Sequence, residues 1–173
     1  MSERESAVRM EPLAMRHAPE VQRYVSDPAI PAMMDNIPQP YPPDGAADYI
    51  RSNMRRQTEG KVWTYAAMVG SDLVGVCSIR LEDEDVPVLG YWIGKPFWGR
   101  GYGSAAAKLG LKRFFSETDF RLVWSASHAR NPASIRILEK CGFQRIEAEK
   151  SAFRSGQEPS VYFKLERDWF AAA

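Results

Sequence analysis

Histidine and cysteine are nearly missing from this 173-residue chain: His17, His128, Cys77 and Cys141 are all there is. The two cysteines are far apart in apolar surroundings, without CxxC or a related spacing. They read as small buried hydrophobes, and no metal site is expected. Two histidines do not make a histidine-rich metal centre either. Charge of one sign is also lacking. The 23 basic and 22 acidic residues leave a net charge of +1, which supports neither a general nucleic-acid surface nor a membrane-binding one. No run approaches the roughly 18 apolar residues that span a bilayer. The opening "MSERESAVRM" is charged, with no apolar stretch behind it, unlike a signal peptide. A soluble, cytoplasmic protein without nucleic-acid or membrane partners is expected. Internal repeats and low-complexity linkers are missing too. The length fits one domain, 1–173, and an apolar fraction of 45% is enough for a core.

Proline is concentrated in one place. Half of the 12 prolines fall in "PAIPAMMDNIPQPYPP", residues 28–43. Such a segment is neither a long helix nor a central strand. It is a surface loop or the wall of a cleft, and Met33, Met34 and Tyr41 suit the second role. Before it, "AMRHAPEVQRYVSD" predicts a short amphipathic helix with Val21, Tyr24 and Val25 inward. After it, "DGAADYIRSNMRRQTEG" predicts a helix from about Asp44 to Gly60, with Ala47, Ile50 and Met54 on its inner face. The period then changes to that of three antiparallel strands, turning at "GSD" (70–72) and "EDED" (82–85). The four acids read as a solvated turn.

A helix from Ser104 to about Glu117 follows, with Ala107, Leu111, Phe114 and Phe115 on one stripe. Next comes a buried strand, "FRLVWSAS". The helix "NPASIRILEKCGF" has Asn131 as N-cap, Pro132 at the first helical position and Gly142 as its stop. Two strands, near Phe143–Lys150 and Val161–Glu166, close the chain, and the exposed terminal "DWFAAA" carries Trp169 and Phe170, for packing on the domain or on a partner. This order gives an α/β domain with a mixed sheet, antiparallel hairpins first and crossover units after.

The chemistry concentrates in "GYWIGKPFWGRGYGSAAAKLG", where a strand meets a helix across Gly99, Gly101 and Gly103. Bare glycine backbone beside a helix N-terminus can hold an anion, a pyrophosphate in particular, with Arg100 adding charge. The dinucleotide fingerprint fails, because the third glycine position is Ser104. The mononucleotide loop fails as well, because Tyr102-Gly103-Ser104 stands where Gly-Lys-Ser/Thr is needed. A short G-x-G turn for the pyrophosphate of coenzyme A is left.

Together, "LGYWIGKPFWGRGYG" and "NPASIRILEKCGF", with "IPQPYPPDGAADYI", "LVGVCSIR" and "VYFKLERDW", resemble the GNAT superfamily of acetyl-CoA-dependent N-acetyltransferases over nearly the whole chain. The RimJ/RimL-type branch is the most similar. The resemblance implies a mixed, mostly antiparallel sheet flanked by helices, with a central splayed strand pair. It implies acetyl-CoA as co-substrate, and as acceptor a primary amine, either a protein N-terminus or a small molecule. Main-chain N–H groups from Gly99 to Ser104 would hold the pyrophosphate, with Trp98, Arg100, Tyr102 and Gly103 in the same segment. Tyr91, Trp92 and Ile93 would pair with the pantetheine arm like an added strand, and a bulge there would aim an N–H at the thioester oxygen. Asn131 would contact the cofactor, and Ser134 would stand near its sulfur as the catalytic residue.

Groups that do acid–base work in relatives are absent: Ala126 stands in place of a glutamate, Leu138 in place of a tyrosine that serves as acid, and "SAFRSG" has no acid. The base is then His128, of a residue type that titrates near pH 6.5, a water chain to bulk, or none, the substrate's own pKa sufficing. Asp35, Tyr41 and Glu158 are candidate amine contacts. A monomer or a homodimer is expected.

Overall fold

The computed structural model describes residues 7–82, 85–153, 156 and 158–172. Asp83 and Glu84 of the acidic turn, and Arg154 and Ser155 of "SAFRSG", lie outside the described residues.

The chain runs β1 (Val8–Pro12), α1 (Ala18–Val25), α2 (Gly45–Thr58), β2 (Val62–Val69), β3 (Asp72–Glu82), β4 (Val86–Ile93), α3 (Tyr102–Glu117), β5 (Leu122–His128), α4 (Pro132–Lys140), β6 (Gln144–Ile146), β7 (Ser160–Glu166) and α5 (Arg167–Ala172). One seven-stranded sheet has the order β1-β2-β3-β4-β5-β7-β6. Every neighbouring pair is antiparallel except β4–β5. That parallel pair is joined at Val88↔Trp124 alone, whereas β3–β4 pairs over eight residues. Beyond Val88 the two central strands diverge, as the resemblance implies.

Helices cover both faces. On one, α3 and α4 close a core of Cys77, Ile79, Leu89, Leu111, Phe114, Val123, Leu138 and Phe163. Both thiols are buried, and burial pushes Cys141 up to about 12 and Cys77 higher, so they pack as small hydrophobes. On the other face, α1 and α2 bury Val21, Val25 and Ile50 against Ala66, Val76 and Trp92.

Two readings need correction. The inner face of α2 is Ala46, Ile50 and Asn53, while Met54 is 46% exposed. Asn53 tolerates burial because Thr64 Oγ1 donates to its Oδ1 at 2.9 Å and its own amide donates to Tyr49 O at 2.8 Å. Phe170 takes one of its two expected courses and packs on the domain. Arg167–Ala172 is helical, with Phe170 against Phe115 at 5.6 Å between ring centroids. Finally, the β3–β4 register is continuous, so β4 carries no bulge. The irregularity lies between β2 and β3, at Ala67/Met68.

Candidate active site

The hydrogen-bond phase of β4 decides what the splay exposes. Gly94 N–H donates to Val74 O at 2.9 Å. Bonded and unbonded pairs alternate along an antiparallel ladder. With Gly75↔Ile93 and Val76↔Trp92 as the next partners, Trp92 turns its main-chain groups to β3. Leu89, Tyr91 and Ile93 turn theirs towards β5. Two of the three carbonyls confirm this phase: Ser125 Oγ donates to Leu89 O at 3.1 Å, and Trp98 Nε1 donates to Ile93 O at 2.6 Å. Tyr91 sits between them, facing the gap. The expected main-chain role of Trp92 is therefore corrected. Its backbone belongs to the β3 ladder, and its side chain is a wall.

This gap opens into a cavity of about 1160 Å³, large for a ligand cleft. One end is the glycine turn. Gly99 and Gly101 have φ of +73° and +83°, a region that most side chains avoid. No atom lies within 4 Å of where a Cβ on Gly99 would stand. Gly101 is the residue from which α3 springs, so the free N–H groups of that helix's first turn converge on the turn. Trp98, Gly99, Gly101, Tyr102, Gly103 and Ser104 all line the cavity. Arg100 does not; its guanidinium lies over the Phe97 ring, 5.9 Å from the centroid. Cations that sequence reading missed, Arg136 and Lys140, line it instead. Their i, i+4 spacing on α4 was the available signal.

The middle of the cavity is the start of α4. Asn131 Oδ1 accepts from Ser134 N at 3.1 Å, the expected cap. Ser134 Oγ lies 2.9 Å from Tyr91 Oη. Burial pushes the Tyr91 phenol well above its ordinary range, and the Ser134 hydrogen bond offsets this in part. The phenol therefore stays protonated. Its reach to Ser134 had no sequence signal.

The far end is walled by the proline segment: Ile30, Met33, Met34, Asp35 and Asn36. Of the three candidate amine contacts, Asp35 alone lines the cavity. Tyr41 packs against the helix entry at Gly45, and Glu158 is paired with Arg130 at 2.8 and 3.0 Å. His128 is buried and also lines the cavity, with Nε2 2.9 Å from Asp35 Oδ1. No group of three or more metal-ligating side chains is found among the described residues. No helix there is long and apolar enough to cross a membrane.

A mixed sheet of this order, splayed at its single parallel pair, defines a GNAT-type α/β protein. The chain belongs to the acetyltransferase (GNAT) domain family, whose match covers residues 8–144. It is similar to YkkB of Bacillus subtilis (strain 168), 34% identical over 74 residues, 41% of this chain and 43% of that protein. The match thus spans less than half of YkkB. An uncharacterized N-acetyltransferase of Bacillus licheniformis, p20, is 24% identical over 127 residues, 71% of each chain. Among solved structures, RimJ of Mycobacterium smegmatis, in complex with CoA-disulfide, superposes with a TM-score of 0.78 at 15% identity, over 93% of this chain and 82% of that one. At that identity the likeness is one of fold.

Proposed function

We propose that this protein transfers an acetyl group from acetyl-CoA to a primary amine, a small molecule or a protein N-terminus, as a cytoplasmic, RimJ/RimL-like enzyme that uses no metal. The observation that carries this is a single cavity joining three parts: the glycine turn, the outward-facing main chain of Tyr91, and the Ser134 hydroxyl. Main-chain N–H groups from Gly99 to Ser104 hold the diphosphate, and Arg136 and Lys140 add positive charge. Tyr91 offers its main chain to the pantetheine arm. Asn131 fixes the turn that carries Ser134. Bound acetyl-CoA supplies the activated thioester. The protein orients it, keeps water out, and presents the Ser134 hydroxyl as a donor to the departing sulfur.

The test is a calorimetric titration with acetyl-CoA, followed by thiol release with a panel of amines. Gly99→Asp and Gly99→Asn serve as a matched pair. Both residue types accept a left-handed backbone, so the pair differs essentially in charge. Micromolar binding by the wild type is expected, weakened about tenfold more by Asp than by Asn, the equivalent of about 1.4 kcal/mol. No binding by the wild type overturns the reading. Binding without turnover on any amine reduces the protein to an acetyl-CoA-binding module.

A further inference from the structure

We propose that His128 is the base that takes the proton from the acceptor amine, and that Asp35 is its positioning residue; this rests on the acetyl-transfer reading above. Alternate residues of a strand share a face. His128 therefore projects from the same side of β5 as Ala126, and both line the cavity. Asp35 and His128 come from distant parts of the chain, the proline segment and the end of β5, and Asp35 lines the cavity too.

Their contact fixes the tautomer. Asp35 Oδ1 is 2.9 Å from His128 Nε2. A carboxylate only accepts, so Nε2 carries the hydrogen and the neutral ring's lone pair is on Nδ1. Nδ1 is buried and has no hydrogen-bond partner among the described residues. An acceptor left unpaired in the interior costs roughly 1–3 kcal/mol, which an N–H donor on a bound acceptor relieves. Gly156 runs close beside the carboxylate, since a Cβ there would stand 2.3 Å from Asp35 Cγ. Among the described residues, Asp35 from the proline segment, Arg130 two residues along the chain, and Glu158 before β7 are the charged groups near the ring. Arg130 is matched by Glu158, and Asp35 is hydrogen-bonded to the ring itself.

The step balances. An ammonium acceptor gives one proton to His128 Nδ1, leaving a neutral amine and an imidazolium beside the Asp35 carboxylate. The amine lone pair forms the N–C bond, the C–S bond breaks, and the sulfur leaves with the electron pair. The second amine proton ends on that sulfur, giving the thiol. His128 returns its proton to solvent.

The experiment compares His128→Gln, Asp35→Asn and the double variant with the wild type. It uses an alkylamine and a weakly basic arylamine at pH 7 and near pH 10. The arylamine is already neutral at pH 7 and needs no base. His128→Gln is expected to lower kcat/KM for the alkylamine about 100-fold at pH 7. The loss should shrink near pH 10 and be small for the arylamine at either pH. Asp35→Asn should give the same pattern in smaller size, with no further loss in the double variant. Acetyl-CoA affinity should stay within about twofold, a marker of folding that His128 does not touch. If His128→Gln does not fold, Asp35→Asn must show the pattern alone. Equal losses for both acceptors at both pH values, or no loss, overturn the assignment. A wild type that binds acetyl-CoA but turns over neither amine overturns the acetyl-transfer reading, and the base with it.

Discussion

The Tyr91 phenol and the Ser134 hydroxyl stand 2.9 Å apart, tying β4 to the first turn of α4 across 43 positions. Ser134 N–H is taken by Asn131. Ser134 is thus held through its amide and its hydroxyl. The phenol has one proton to give, and given to Oγ, the nearer of the two Ser134 oxygens it faces, it leaves the serine proton free to point into the cavity.

Tyr91→Phe is therefore expected to lower kcat about tenfold with little change in acetyl-CoA affinity, and to cost about 1 kcal/mol of stability. Ser134→Ala should lower kcat at least as much. The double variant should lose no more than Ser134→Ala, because the phenol acts through that hydroxyl. Steady-state kinetics on the three variants check this. Additive losses would mean that the two groups act separately.

Two glycines should respond to a methyl group to very different extents. A Cβ on Gly75 would stand 2.2 Å from the Trp92 carbonyl oxygen and 3.1 Å from Ile93 Cα, both main chain of the strand paired with it. Gly75→Ala must push β4 away from β3, and a loss of about 3 kcal/mol is expected. A Cβ on Gly103 would meet Ile137 Cδ1 at 2.8 Å, the free end of a side chain that can rotate aside. Gly103→Ala should cost less than about 1 kcal/mol and keep acetyl-CoA binding. Urea unfolding of both variants decides the order.

Most of the fold was legible because each element carries its own signal. The prolines of 28–43, the cap Asn131-Pro132 and the stop at Gly142 act locally, and the structure follows them. The face of α2 was misread because the period fits Met54 as well as Asn53; Thr64, from another element, decides it. The site was legible where it rests on one turn, as at Gly99 and Gly101. It was not legible where it rests on contacts between distant segments. Nothing near His128 in sequence announces Asp35, and nothing near Tyr91 announces Ser134. The missing bulge has the same origin, since strand irregularity depends on the partner strand, and here it falls at Ala67/Met68.

Glu11 makes a pH-dependent contribution to stability. Hydrogen bonds from Arg16, Arg9 and His17 lower its carboxyl from 4.5 to about 2. Arg16 approaches at 2.8 Å and His17 Nε2 at 2.9 Å. Because the folded value is the lower one, the contribution is complete above about pH 5 and fades as pH falls towards 2. The partner arginines are more than half exposed, so solvent screening holds the effect to about 1 kcal/mol. Glu11→Gln should be less stable than the wild type by that amount at pH 7, and indistinguishable from it near pH 2. Thermal unfolding across this range tests both halves. A difference that is constant with pH would mean that packing, not charge, holds Glu11.

Arg130 fastens the proline segment over the far end of the cavity. Its guanidinium reaches Glu158 at 2.8 and 3.0 Å, Ala32 O at 2.5 Å and Met33 Sδ at 3.5 Å. The Glu158 carboxyl is held below its ordinary range by Arg130 in return. Both side chains are nearly half exposed, so the pair itself contributes little to global stability. Its consequence is positional, because it holds in place the wall that carries Met33, Met34 and Asp35. Arg130→Met keeps the apolar stem and removes the donors. It should raise KM for the amine several-fold and leave acetyl-CoA affinity unchanged, since the glycine turn lies at the other end of the cavity. Glu158→Gln should do the same more weakly, because Ala32 O still accepts from Arg130. An equal loss of affinity for both substrates would show that the clasp supports the whole cavity and not its acceptor end.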